Sequence, residues 1–320
     1  MAPLAQALSP QLVESSTSGL PKHVYRGTVD PGWVVGSVPH GGYVLGLLIM
    51  ASMKSQQQTK HKDPIHVTAH FMQPTAREEY TIQVQVIRTG SRFSNLTANL
   101  IQKGETKVLT HIIFGTLIEF DEPEPAVSIS EYEHIPPTHP LFRPIPFSTH
   151  PRNSPPPKCT LNTAEPGTHD GGLESGAWWE LAGENEELHL SMIPFFADIF
   201  DNTPSILSQV HGKEIPAMWY PTMVMTIEFK RKLPRRGMPG YSSRTLGVYS
   251  KGSFLEHGRH DMYGEIWSAP SCIGQSDGRD PTDGSWKKDM RCVAITGQMA
   301  LSVSIAINES KGDKASKAKL

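Results

Sequence analysis

Asp198 lies in the run Phe195-Phe196-Ala197-Asp198-Ile199-Phe200, a carboxylate with large apolar neighbours on both sides. An ionised carboxylate in such a setting is costly to bury unless it is hydrogen-bonded. Desolvation raises its pKa toward the range in which a carboxylate serves as a general base. A plainer reading stands beside this one: Asp198 precedes Asp201-Asn202-Thr203-Pro204 and could cap or break a helix there. Gly41-Gly42 opens an apolar run and reads as a helix-entry turn that allows close backbone approach. Other chemistries find less support. No G-x-G-x-x-G follows a strand, and there is no P-loop. His257 and His260 stand three apart without an H-E-x-x-H pattern and read as surface residues at a hairpin turn. Cys159, Cys272 and Cys292 show no paired spacing, so neither a disulfide framework nor a zinc site is expected.

Lys and Arg number 30 against 32 Asp and Glu, a formal charge of −2, which leaves no excess of base for nucleic acid. The N-terminal residues carry no basic segment followed by an apolar core, so no secretory signal is read there. The longest apolar run, Val44 to Met53, is about half of the ~20 residues that cross a bilayer, and a buried helix accounts for it. The C-terminus reads Ala318-Lys319-Leu320 after a small, polar tail, a variant of the Ser-Lys-Leu peroxisomal address. A peroxisomal location and an import receptor as partner are the expectations, with the cytosol as the alternative.

Eleven of the 27 prolines fall between Asp121 and Lys158, which excludes regular helix and central strand there. The chain divides accordingly: residues 1–120, a Pro-rich linker at 121–160, a second unit at 161–308 with an inserted loop at 268–290, and a tail at 309–320. In the first unit a helix from Gly41 has apolar residues on every side, so it should be enclosed. Strands follow with period-two alternation: Val67, Ala69 and Phe71; then Tyr80, Ile82, Val84 and Val86; then Leu96, Ala98 and Leu100; then the run from Lys107 to Leu117. The second unit repeats the order. A strand near Ala177–Glu180 precedes an apolar helical stretch, Leu188–Leu207, with breakers at Pro194 and Pro204. Strands come after it, one of them with Met223, Met225, Ile227 and Phe229 on one face.

The internal matches pair VTAHFMQPTAREE with MTIEFKRKLPRRG, VIRTGSRFSN with VYSKGSFLEH, and LTHIIFGTL with AITGQMALS. This pattern, with PHGGYVLGLL in the first half and FFADIF, PTMVMTIEF and AITGQMAL in the second, resembles the double-hotdog thioesterase-like family of the acyl-CoA thioesterase II type. The resemblance covers roughly residues 20–120 and 165–307. It implies an α+β double hotdog: two antiparallel sheets, each around a central helix, forming one continuous core.

The resemblance also implies a site. An aspartate on the second hotdog helix corresponds to Asp198, a hydroxyl residue at the start of the next strand to Thr222, with Thr226 as second choice, and a glutamine on the last strand to Gln298. Gly41 and Gly42 correspond to the glycines before the first helix, and Tyr43 joins them as a substrate-side residue, although a tyrosine so placed is more often core than an acyl contact. The three catalytic candidates would hold a water that attacks an acyl-CoA thioester, with no metal or organic cofactor and CoA present only as part of the substrate. Free N–H groups at a helix start would receive the oxyanion. Lys230, Arg231, Lys232, Arg235 and Arg236 form the densest basic stretch, either a rim for CoA phosphates or a solvated strand end. The family context adds lipid metabolism and a homo-oligomer. A hotdog enoyl-CoA hydratase, or a non-hydrolytic or pathway-specific protein of the same fold, remains as the alternative.

Overall fold

Strands with one apolar face make up most of this chain, and the way they pair decides where the candidate residues go. The computed structural model describes residues 2–16, 18–122, 173–183, 185–211, 216–271 and 290–310. Most of the linker at 121–160, the core of the loop at 268–290, and Ala318, Lys319 and Leu320 lie outside them. The first half runs α1 (Leu4–Ala7), β1 (Gln11–Ser16), β2 (Lys22–Thr28), β3 (Val34–Val35), β4 (Val38–Pro39), α2 (Gly41–Gln56), β5 (Asp63–Phe71), β6 (Glu79–Thr89), β7 (Ser94–Gln102) and β8 (Glu105–Gly115). The second begins with β9 (Leu173–Glu180), a 3-10 turn (Leu190–Met192), α3 (Ile193–Phe196), α4 (Thr203–His211) and β10 (Met218–Trp219). It ends with β11 (Thr222–Phe229), β12 (Tyr241–Gly252), β13 (Leu255–Glu256), β14 (Arg259–Pro270), β15 (Cys292–Leu301) and β16 (Val303–Ser304).

The architecture is the expected α+β double hotdog. Its two antiparallel sheets meet edge to edge where β5 pairs with β11, Val224–Glu228 lying opposite His70–His66. One 12-stranded sheet results, in the order β1-β2-β6-β7-β8-β5-β11-β15-β14-β12-β9, with β13 on β14. A single apolar cluster runs through both halves, from Leu47 and Ile82 to Phe196, Ile227 and Ile266. Strands β1 and β2 had no sequence signal, because β1 is an exposed edge without alternation.

Helix α2 is buried on nearly all sides, as its composition requires. It packs directly on α3. A Cβ on Gly42 would run into the Pro194 carbonyl, and one on Gly46 would lie 2.6 Å from the Ser191 carbonyl oxygen. The second half has no matching long helix. The apolar stretch breaks into the 3-10 turn, the four-residue α3 and, after a gap, α4. Pro194 fits the first turn of α3 and Pro204 the first turn of α4, so each proline opens a short helix and cannot continue one. Asp198 therefore sits two residues past α3 rather than on a helix.

The repeat extends to a defect. Register shifts between Pro64 and His66 where β5 meets β8, and between Thr222 and Val224 where β11 meets β15. The far end of the chain closes the near one. Asn308 is fully buried; its Oδ1 accepts from Ser37 N at 2.8 Å and its Nδ2 donates to Val35 O at 3.1 Å. The Ser37 hydroxyl donates in turn to the Asn308 carbonyl. The β3–β4 hairpin is thus tied to a helical turn at 305–310.

Candidate active site

The N-terminus of α2 points at the turn after α3. Gly42 N–H donates to Asp198 Oδ2 at 2.7 Å. A Cβ on Gly41 would sit 2.9 Å from the same oxygen, and one on Gly42 2.8 Å from both Asp198 Cβ and Phe195 Cα. The pair is needed for space: only a helix start without side chains lets the carboxylate this close. The helix dipole favours an anion there. Gly41 N–H has no partner among the described residues, so of the helix-start donors expected for an oxyanion Gly42 is engaged and Gly41 is open.

Strict alternation along β11 puts Met223 inward with Met225, Ile227 and Phe229, and Thr222 outward with Thr226. The bulge reverses this for the first two residues. Met223 is 38% exposed, while Thr222 pairs opposite the buried Ala300 and faces inward. Its Oγ1 lies 3.2 Å from Asp198 Oδ1 and 3.3 Å from Gln298 Oε1. Gln298 Nε2 donates to Ala197 O at 2.7 Å, which fixes the amide so that its oxygen faces Thr222. The hydroxyl has one proton for two acceptors, so it can donate to Gln298 and still accept, or donate to Asp198. Thr226, the second choice, is excluded: it lies on the outer face, bonded to Gly297 O at 3.3 Å.

His40 is the residue that sequence reasoning missed. Its Nδ1 is 3.4 Å from Asp198 Oδ2, and the two side chains are 10% and 11% exposed. Burial lowers the His40 pKa, against the pull of the Asp198 charge, so the ring is neutral near pH 7. Burial raises the Asp198 carboxyl, against the opposing effects of His40, Gly42 N–H and the Thr222 hydroxyl. The signal was its place: His40 is the N-cap residue of α2, directly ahead of the glycine pair, and makes no side-chain cap bond there.

A cavity of about 340 Å³ opens beside these groups, walled by His40, Gly41, Asp198 and Thr222 and by apolar residues including Val44, Phe71 and Trp219. Two expectations fail against it. Tyr43 does not reach the cavity. It is fully buried, its hydroxyl accepting from Asp30 N and donating to Ala7 O, both at 3.2 Å, so it is a core residue. The basic stretch is no rim either. From Thr222 to Lys230 an extended strand covers roughly 26 Å, and Lys230, Lys232, Arg235 and Arg236 are ion-paired with Glu228, Glu119 and Glu187. Arg231 is buried, its Nη1 on Phe120 O at 3.3 Å. His260 is also misplaced by the sequence: it is 2% exposed and faces inward at the start of β14. A G-x-S-x-G string, Gly274-Gln275-Ser276-Asp277-Gly278, lies outside the described residues, in the loop expected between two strands rather than before a helix. Among the described residues no cluster of His, Cys, Asp and Glu could hold a metal ion, and no helix is long and apolar enough to cross a membrane.

Residues 29–115 match the model of the acyl-CoA thioesterase N-terminal domain, and residues 133–276 that of the acyl-CoA thioesterase C-terminal domain. The chain belongs to the acyl-CoA thioesterase family. Solved structures similar to this thioesterase-family chain include the acyl-CoA thioesterase II TesB2 of Mycobacterium marinum, 15% identical with a TM-score of 0.56, covering 94% of this chain and 97% of that one. A hotdog-fold protein of unknown function from Alicyclobacillus acidocaldarius is 18% identical with a TM-score of 0.60, covering 94% and 98%. At these identities the likeness is one of fold. The Ustilagic acid biosynthesis cluster protein orf2 of Mycosarcoma maydis is 27% identical over 126 residues, 36% of this chain and 33% of that protein. The match thus spans a third of that relative's length.

Proposed function

We propose that the protein hydrolyses an acyl-CoA thioester to a free carboxylic acid and CoA. Asp198 takes a proton from a water as the water oxygen bonds to the thioester carbonyl carbon. The Thr222 hydroxyl, with its orientation set by Gln298, places that water. The carbonyl oxygen gains the negative charge, and Gly41 N–H at the start of α2 is the donor open to it. Collapse expels the thiolate of CoA, which recovers the proton from Asp198. The acyl chain lies against the apolar wall, and CoA enters only as part of the substrate; no cofactor takes part.

The observation that carries this reading is the meeting of Asp198, Thr222 and Gln298, from three separate segments, beside an apolar cavity. Delivery to peroxisomes through Ala318-Lys319-Leu320, and assembly as a homo-oligomer, belong to the same proposal. Thiol release from a panel of acyl-CoAs tests it. No release at any chain length would remove hydrolysis as the role, and water addition to an enoyl-CoA instead would establish the hydratase alternative. A second reading, a step in a specialised pathway using the same cavity, draws support from the relative whose name places it in a biosynthesis cluster.

A further inference from the structure

A second polar station stands in the cavity wall. Asn202 lines the cavity and directly precedes α4. An asparagine at that place normally caps its own helix through its side chain. This one is diverted: its Oδ1 lies 3.0 Å from His260 Nε2. His260 is itself held on its other side, Nδ1 being 3.3 Å from Ser302 Oγ. Its ring packs against that of Tyr220 in a T-shaped contact, 5.6 Å between centroids. Tyr220 also lines the cavity, and its hydroxyl accepts from Ser205 Oγ at 3.1 Å. With Ser302 donating to Nδ1, the neutral ring donates from Nε2 to the Asn202 oxygen. The amide nitrogen of Asn202 then has no partner among the described residues, and two N–H donors are left for the cavity.

The station is separate from the reacting groups. His260 pairs with Ala300, and Ala300 with Thr222, so the three form one inward-facing row across β14, β15 and β11. Two strand spacings, roughly 10 Å, separate the His260 and Thr222 backbones. A saturated chain that covered these donors would strip their water and return nothing. An oxygen on the chain would replace it, and a site built around such a bond rejects the analogue that lacks it.

We propose that Asn202, positioned by His260, hydrogen-bonds an oxygen substituent on the acyl chain, so that the cavity selects oxygenated acyl groups, hydroxyacyl chains above all, over plain saturated ones. The inference rests on the thioesterase reading in placing an acyl chain in the cavity, but its test does not need hydrolysis. Calorimetric binding of dodecanoate is compared with that of its regioisomeric hydroxydodecanoates, using the full-length protein. At least one regioisomer should bind about fivefold tighter than dodecanoate, the worth of one neutral hydrogen bond. N202L should erase that preference while keeping dodecanoate affinity. H260A should weaken the preference, and H260Q, which still offers an amide donor to Asn202, should restore it; a structural role alone would move both ligands together. The proposal falls if no regioisomer outbinds dodecanoate, if no acid binds at all, or if the preference survives N202L. A hydroxyl preference without thiol release from any acyl-CoA would overturn the hydrolytic reading and leave this one standing.

Discussion

Asp198→Asn separates the charge at position 198 from its shape. Gly42 N–H requires an oxygen at the Oδ2 place, 2.7 Å away, so the new amide must put its nitrogen where Oδ1 stood, 3.2 Å from Thr222 Oγ1. Thr222 then accepts from that nitrogen and gives its own proton to Gln298 Oε1, 3.3 Å away. Every bond keeps a partner with the roles reversed, so the variant should fold. The base is gone, and a positioned general base contributes about 10²–10⁴ in rate, or roughly 2.7–5.4 kcal/mol. The effect on stability has the opposite sign. Burial lifts the Asp198 carboxyl above its ordinary value of 3.8, so between that value and the raised one the folded state holds more protons than the unfolded. Native stability therefore falls as pH rises through that window, and the loss is complete above it. The amide does not titrate. Each unit of displacement is worth about 1.4 kcal/mol, and ~1 kcal/mol moves the Tm of a chain this long by roughly 2 °C. D198N should thus equal the wild type near pH 4 and exceed it progressively toward pH 8. Thiol release from acyl-CoA and thermal melts from pH 4 to 9 measure both halves. A variant that keeps more than about a tenth of kcat, or melts below the wild type at pH 8, would refute the reasoning.

Thr222→Val should cost about 1–3 kcal/mol, since it leaves the Gln298 oxygen and the carboxylate facing a methyl group; T222S should restore both the melting temperature and most of kcat. Gly42→Ala forces α2 off α3 and stretches the bond to Asp198, a penalty of about 1–3 kcal/mol; a fall in kcat larger than the fall in acyl-CoA affinity is the expected kinetic mark. The buried His40 has a lowered pKa, so below its ordinary value of 6.5 the unfolded chain takes up a proton that the native one refuses. Stability should decline as pH falls through that region, and H40Q should flatten the decline in melts from pH 5 to 8.

The strands and the enclosed helix were legible because burial writes a period into a sequence, two residues for β5–β8 and an all-round apolar run for α2. What the period could not show was its interruption. The bulge at Met223 adds one residue to β11 without a residue type that betrays it, and that single residue decides whether Thr222 faces the site or the outer surface. The break after α3 had its prolines in view, but the seat of the Asp198 carboxylate on Gly42 N–H did not show, because that contact joins residues 156 positions apart. His40 and His260 were missed for the same reason: their environment comes from other segments. The basic stretch failed differently. Density of charge along a chain carries no information about distance from a cavity, and the extended β11 carried it to the end of that strand remote from Thr222.

The clasp between Asn308 and the β3–β4 hairpin spans 271 positions. During synthesis the hairpin emerges early, but its fastener cannot arrive until residue 308 has cleared the ribosome. The wall that the hairpin lends to the cavity is therefore secured only when both segments have been made. Until then a nascent chain carries the proline–histidine–glycine segment without a completed pocket behind it.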